Sequence, residues 1–171
     1  NWIPVLPKWQ ALVDYFMKLD VDRARAWPFL TKQADAKGEQ FQTALEAAKI
    51  VGRHTPHLRI VDPSKFDKTW EEPKDIPAEA MSITELTREA ASQGVILSME
   101  NSGQPIRSMA LLVQEARNQL SSEEGSYLGL CPDATNQLRG FPESDPLAEL
   151  DAVPLDMLKI VHFKQARDGK A

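Results

Sequence analysis

Three apolar runs of strand length each end on a side chain that can bind a cation, and this repeated ending constrains the fold more than any other feature. "GVILSMENSG" (residues 94–103) ends its apolar part at Glu100, followed at once by Asn101, Ser102 and Gly103. "SYLGLCPD" (126–133) ends at Asp133, and "DMLKIVHFK" (156–164) is apolar until it meets His162. A carboxylate closing a strand buried on both faces is costly unless it is paired or coordinated. An earlier run, "HLRIVDPS" (57–64), reads as a further short strand that ends in a turn.

Helical patterns separate these runs. From about Thr31 to Val51, Phe41, Leu45 and Ala48 share one face while Lys and Glu cover the others, and Gly52 is placed to cap the end. A Pro-rich, charged loop spans Lys65 to Pro77. Ser82 and Glu85 have the spacing of a capping box for a helix carrying Ile83, Leu86 and Ala90 inward, with Gly94 ending it. Pro105 to Leu120 presents Ile106, Met109, Val113, Ala116 and Leu120 on one face, and Asp145-Pro146 opens a short helix through about Ala152. Strands alternating with amphipathic helices predict an α/β chain with a parallel sheet covered by helices. In such folds the working residues gather at the carboxyl ends of the strands. Parallel neighbours bring those ends together, so Glu100, Asp133 and His162 are expected to converge.

Composition removes several function classes. The 171 residues suffice for a single domain with a real core, of which 1–30 is the least defined part. A net charge of -5 argues against binding nucleic acid through a broad basic surface. No apolar run reaches the roughly 18 residues that span a membrane. The single Cys131 excludes an internal disulfide and fits a reducing, cytoplasmic compartment. Two carboxylates and an imidazole suit a divalent cation, with the oxygens favouring Mg or Mn and the imidazole admitting Fe, Co or Zn. Taken singly, each of the three is more simply a hydrogen-bonded structural residue; three at successive strand ends are not so easily dismissed.

At these residues the chain resembles the sugar-phosphate isomerase/epimerase superfamily, the xylose-isomerase-like TIM barrels. The pattern is an apolar strand ending in Glu-Asn ("GVILSMENSG"), a strand ending in Asp-x-x-His or Asp-x-x-Asn ("YLGLCPDATN"), and a strand reading Val-His-x-Lys ("LKIVHFKQ"). The resemblance implies that Glu100, Asp133 and His162 bind a divalent metal (Mn, Mg, Co or Zn), and that Glu100 also acts as an acid/base residue. It implies substrate contacts at Asn101, Asn136, Lys164 and Arg59, the last on a run similar to the family's fourth strand. Asn136 stands where many members have His, which counts against an endonuclease IV-like multi-metal hydrolase. The activity implied is proton transfer beside the carbonyl of a small sugar or polyol.

The resemblance covers strands four to seven of such a barrel. The family's fourth ligand, a Glu on an eighth strand, has no counterpart before Ala171. The expectation is therefore a TIM-barrel-like (β/α) repeat holding a partial barrel of about four parallel strands with flanking helices. Its open sheet edges would invite self-association, and a non-catalytic half-barrel scaffold is the competing reading. Cys131 reads as a buried inert thiol, and His54 and His57 as surface loop residues. Trp2, Trp9 and Trp27 read as packing residues, Trp70 as core or as a cap over a sugar, and Arg167 as a turn residue or anion contact.

Overall fold

The computed structural model describes residues 35–52, 55–61 and 69–162. The elements in chain order are α1 (Glu39–Val51), β1 (His57–Val61), α2 (Ile83–Ser92), β2 (Ile96–Glu100), α3 (Ile106–Arg117), α4 (Ser122–Ser126), β3 (Leu128–Cys131), α5 (Ala134–Gly140) and α6 (Pro146–Asp151). Short 3-10 turns lie at Pro73–Asp75, Ala78–Ser82 and Leu155–Met157. The described strands form one parallel sheet in the order β1-β2-β3. The chain is α/β, as the alternation predicted.

The register separates the two faces of this sheet. Arg59 pairs with Ser98 and Ser98 with Gly129, while Val61 pairs with Glu100 and Glu100 with Cys131. Side chains alternate along a strand, so His57, Arg59, Ser98, Glu100, Gly129 and Cys131 share one face. Leu58, Ile60, Leu97, Met99, Leu128 and Leu130 share the other. The second set forms one apolar cluster with Phe41 and Leu45 of α1, Leu86 of α2 and Leu112 and Val113 of α3. Both faces are buried, yet only one is apolar. Buried polar groups must find partners within the protein, and on the polar face they find one another.

Local rules explain where the helices begin and stop. Gly94 takes φ +70° after α2, a left-handed conformation that favours glycine, and Val95 N–H reaches back to Ala90 O at 2.9 Å. Asp145 caps α6 by accepting from the N–H groups of Leu147 and Ala148, with Pro146 in the first turn. The capping box expected at Ser82 and Glu85 is not formed. Ser82 has helical angles (φ -56°, ψ -20°) because the chain enters α2 directly from a 3-10 turn, so it is not an extended cap residue. The same Ser-x-x-Glu spacing forms a true box at Ser121 and Glu124, where Ser121 is extended and starts α4.

A polar network ties the chain before α1 to α2. Glu89 accepts from Lys37, from Gln42 Nε2 at 2.8 Å and from Gln93 Nε2 at 2.9 Å. Lys37 first, then Gln42, holds the Glu89 carboxyl down at about 2, against 4.5 for a free one. A depressed folded value means the contribution is complete above pH 4.5 and lost as pH falls toward 2. Glu89→Gln should therefore cost about 1 kcal/mol at pH 7 and flatten the acid limb of stability in that window, as read by thermal unfolding across pH.

The fourth predicted strand is replaced by a less regular arrangement. "DMLKIVHFK" starts as the 3-10 turn Leu155–Met157, and residues 158–162 then run parallel to β3 through two isolated bridges, Leu130 with Leu158 and Asp133 with His162. The physical reason is one extra residue. From Leu158 to His162 is four steps, whereas from Leu130 to Asp133 is three, and the N–H groups of Lys159 and Ile160 both point at Leu130 O, at 3.0 and 3.4 Å. Two residues opposing one is the arrangement of a β-bulge. Under strict alternation Leu158 and His162 would lie on the same face. Leu158 packs against the apolar cluster, and the extra residue turns His162 to the polar face beside Asp133.

Candidate metal centre

Glu100 is the last residue of β2, and Asp133 follows β3 by two positions. Each is fixed by local structure. Asp133 is the N-cap of α5, where its Oδ1 accepts from Asn136 N–H at 2.9 Å, and the residue is fully buried. Its backbone is clamped by Asn101, whose Oδ1 accepts from Asp133 N–H at 2.8 Å and whose Nδ2 donates to Asp133 O at 3.0 Å. Asn136 Nδ2 donates to Asn101 O at 2.9 Å and to Glu100 Oε1 at 3.3 Å. The ends of β2 and β3 are thus locked together by two amide side chains.

His162 completes the group from the bulged segment. Its Nδ1 lies 3.0 Å from Glu100 Oε1 and 3.7 Å from Asp133 Oδ2. Ligand atoms of Glu100, Asp133 and His162 all fall within 4.8 Å of one another, the one such group of metal-binding side chains among the described residues. The two carboxylate side chains are 4% and 0% exposed and the imidazole is 20% exposed, so the group is buried but can be approached from the histidine side.

The donor set and spacing fit a divalent cation. Adjacent ligands around a small cation with bonds of about 2.1 Å stand about 3 Å apart, close to the Glu100–His162 separation of 3.0 Å. Asp133 Oδ2 needs only a small inward movement from 3.7 Å. Two oxygens and one imidazole nitrogen admit Mn, Mg, Co or Zn and leave other positions open.

The chain itself supplies a positive group to this cluster. Arg59 Nη1 lies 2.9 Å from Glu100 Oε2, with the two side chains 6% and 4% exposed. The same Nη1 is 2.9 Å from His162 Nδ1 and 3.0 Å from Nε2. One consistent assignment has His162 Nδ1–H donating to Glu100 and Nε2 accepting from Arg59. Behind this cluster on the same face, His57 Nε2 and Ser98 Oγ are 2.6 Å apart, both buried.

The structure brings together Glu100, Asp133, His162, Asn101, Asn136 and Arg59. Lys164 lies outside the described residues, as do His54, Arg167, Trp2, Trp9 and Trp27. Asn101 spends both ends of its amide on backbone, donating to Gln104 O as well at 3.2 Å. Its position makes it the brace of Asp133. His57 is a buried strand residue rather than the expected surface loop residue, because it opens β1 and faces Ser98. Trp70 does not cap the site. Its backbone N–H donates to Ser108 Oγ on α3 at 2.9 Å and it joins the apolar cluster. Cys131 is fully buried, as expected. The pairing of Arg59 with Glu100 was not anticipated; its signal was the alternation of polar His57 and Arg59, and of Ser98 and Glu100, within runs that otherwise look apolar.

Asn101→Ala should separate these functions. Removing the amide takes away the acceptor of the buried Asp133 N–H and one of the two donors to Asp133 O, the other being Gln137 N–H at 3.2 Å, at a cost of about 1–3 kcal/mol. Divalent-cation affinity should fall by about 10–100-fold, the scale for losing a group that orients a ligand. Urea unfolding and Mn2+ titration of the variant check the two effects.

No protein-family model, curated protein or solved structure matches this chain. No helix among the described residues is long and apolar enough to cross a membrane.

Proposed function

We propose that this chain binds a divalent cation through Glu100, Asp133 and His162 and serves as a metal-dependent isomerase or epimerase of small sugars or polyols, on part of a TIM-barrel-like (β/α) scaffold. The observation that carries this reading is the convergence of three metal-ligating side chains, from three separate segments, on the polar face at the carboxyl ends of parallel strands. The resemblance to the xylose-isomerase-like enzymes supplies the reaction class. When bound, the cation supplies Lewis-acid stabilisation of the negative charge that develops beside a carbonyl.

The residues of the chain do the rest. Glu100 moves the proton on the carbon next to the carbonyl, with Asn136 Nδ2 donating to its Oε1. Asn136 takes the part of a contact to substrate hydroxyls, and the resemblance gives Lys164 the same part. The buried surroundings exclude water from a developing enediolate. Cys131, a single buried thiol, suits a cytoplasmic setting.

The test is solvent-deuterium exchange. With Mn2+ or Mg2+ present, a ketose or inosose-like polyol substrate should take up deuterium next to its carbonyl, and Glu100→Gln should slow this by at least about 100-fold. Absence of exchange across such a panel, with the cation bound, would exclude the isomerase reading. One observation favours a second reading. The Arg59–Glu100 pair already compensates the buried carboxylate, so a non-catalytic scaffold would need no cation, and the protein would then bind none.

A further inference from the structure

We infer that Arg59 and the divalent cation compete for the same two side chains, so that the guanidinium holds the metal-free site in shape and is displaced when metal enters. The inference rests on the metal reading above and deepens it. A single guanidinium nitrogen, Arg59 Nη1, stands 2.9 Å from Glu100 Oε2, 2.9 Å from His162 Nδ1 and 3.0 Å from His162 Nε2. The carboxylate and the imidazole through which Glu100 and His162 would bind metal are therefore both in contact with one positive nitrogen. Arginine stays charged at any working pH. A divalent ion between Glu100 Oε1 and His162 Nδ1 would face that charge across a few ångströms in a buried setting, where repulsion is poorly screened.

Without metal, the same contacts explain why two buried carboxylates and an imidazole tolerate one another. Arg59 neutralises Glu100, Asn136 N–H stabilises Asp133 Oδ1, and His162 Nδ1 lies 3.0 Å from Glu100 Oε1, where the Nδ1–H tautomer donates to it. The pair is built into the fold: Arg59 sits on β1 opposite Ser98, two residues before Glu100 on β2, so the two side chains lean together on one face. Metal loading exchanges one positive group for another. The proton balance needs a change of tautomer: His162 would give up its Nδ1 proton and take one at Nε2, so the ring stays neutral, the freed Nδ1 lone pair and a Glu100 oxygen would hold the ion, and the guanidinium would leave the ring.

The test compares Mn2+ binding by calorimetry to the wild-type protein and to Arg59→Met, which keeps much of the side-chain length without the charge. Competition predicts that Arg59→Met binds Mn2+ at least ten-fold more tightly, and that Mn2+ raises its thermal midpoint by more than it raises that of the wild type. A role of Arg59 that is only structural predicts weaker binding. Equal or weaker binding by the variant, with the wild type binding Mn2+, would overturn the competition and leave the metal site standing. No binding by either would overturn both. Because Arg59→Met can fail to fold, the second measurement uses the wild type alone: Zn2+ should shift the Arg59 side-chain Nε–H resonance, and an unmoved resonance at saturating Zn2+ would contradict displacement.

Discussion

Replacing Glu100 by Ala is expected to cost about 3–5 kcal/mol of unfolding free energy, the scale for removing one partner of a buried ion pair. The cause is what remains. The Arg59 guanidinium, 6% exposed, would lose the carboxylate that it meets at 2.9 Å. Asn136 Nδ2 and His162 Nδ1 lose an acceptor at the same time. Glu100→Gln, which keeps the shape and one acceptor oxygen, should cost less. The decisive comparison is the double variant Glu100→Ala with Arg59→Met. Removing both charges should recover a large part of the loss, because a buried pair replaced by apolar groups is often nearly neutral. Urea unfolding of the four proteins in this cycle gives the coupling. A coupling near zero would mean that the two side chains do not meet in solution as they do here.

The second large effect is expected at Gly129. A Cβ added there would clash with the backbone oxygen of Met157 and with Lys159 Cγ. A lysine side chain can move aside, but the Met157 carbonyl belongs to the turn that starts the bulged segment. Gly129→Ala should therefore push residues 157–162 away from β3, at a cost of about 1–3 kcal/mol for overpacking. The consequence for the site is larger than the loss of stability. His162 reaches Asp133 only through the bridges of this segment with β3, so its displacement opens the ligand group while Glu100 and Asp133 stay locked by Asn101 and Asn136. Divalent-cation affinity should drop by at least ten-fold, as measured by Mn2+ titration, with the helical signal retained.

Much of this arrangement was legible in the sequence, and what was not has identifiable causes. The alternation of strand and helix follows from periodicity, and the endings of the apolar runs pointed to Glu100, Asp133 and His162, which do converge. The pairing of Arg59 with Glu100 was hidden because it depends on the register between β1 and β2, which no single run states. The orientation of His162 was hidden for a related reason. Counting by twos from Leu158 sends it to the apolar side, and only the extra residue near Ile160 reverses this. That bulge also explains why the fourth run is not a regular strand. The cap at Ser82 failed because a Ser-x-x-Glu spacing works only when the Ser is extended, as at Ser121 and not at Ser82. Trp70 left two readings open, core or a cap over a sugar, and it is core: its backbone is held to Ser108 and it joins the apolar cluster.

The central claim is that Glu100, Asp133 and His162 form one divalent-cation site. Its most direct test is Mn2+ added in small substoichiometric steps to isotopically labelled protein, with paramagnetic broadening followed by NMR. The account predicts that the first backbone signals to vanish are those around Glu100, Asp133 and His162, and that Asp133→Ala abolishes the pattern. Broadening that begins instead at exposed acidic side chains such as Glu71 or Glu123, or that survives unchanged in Asp133→Ala, would contradict it.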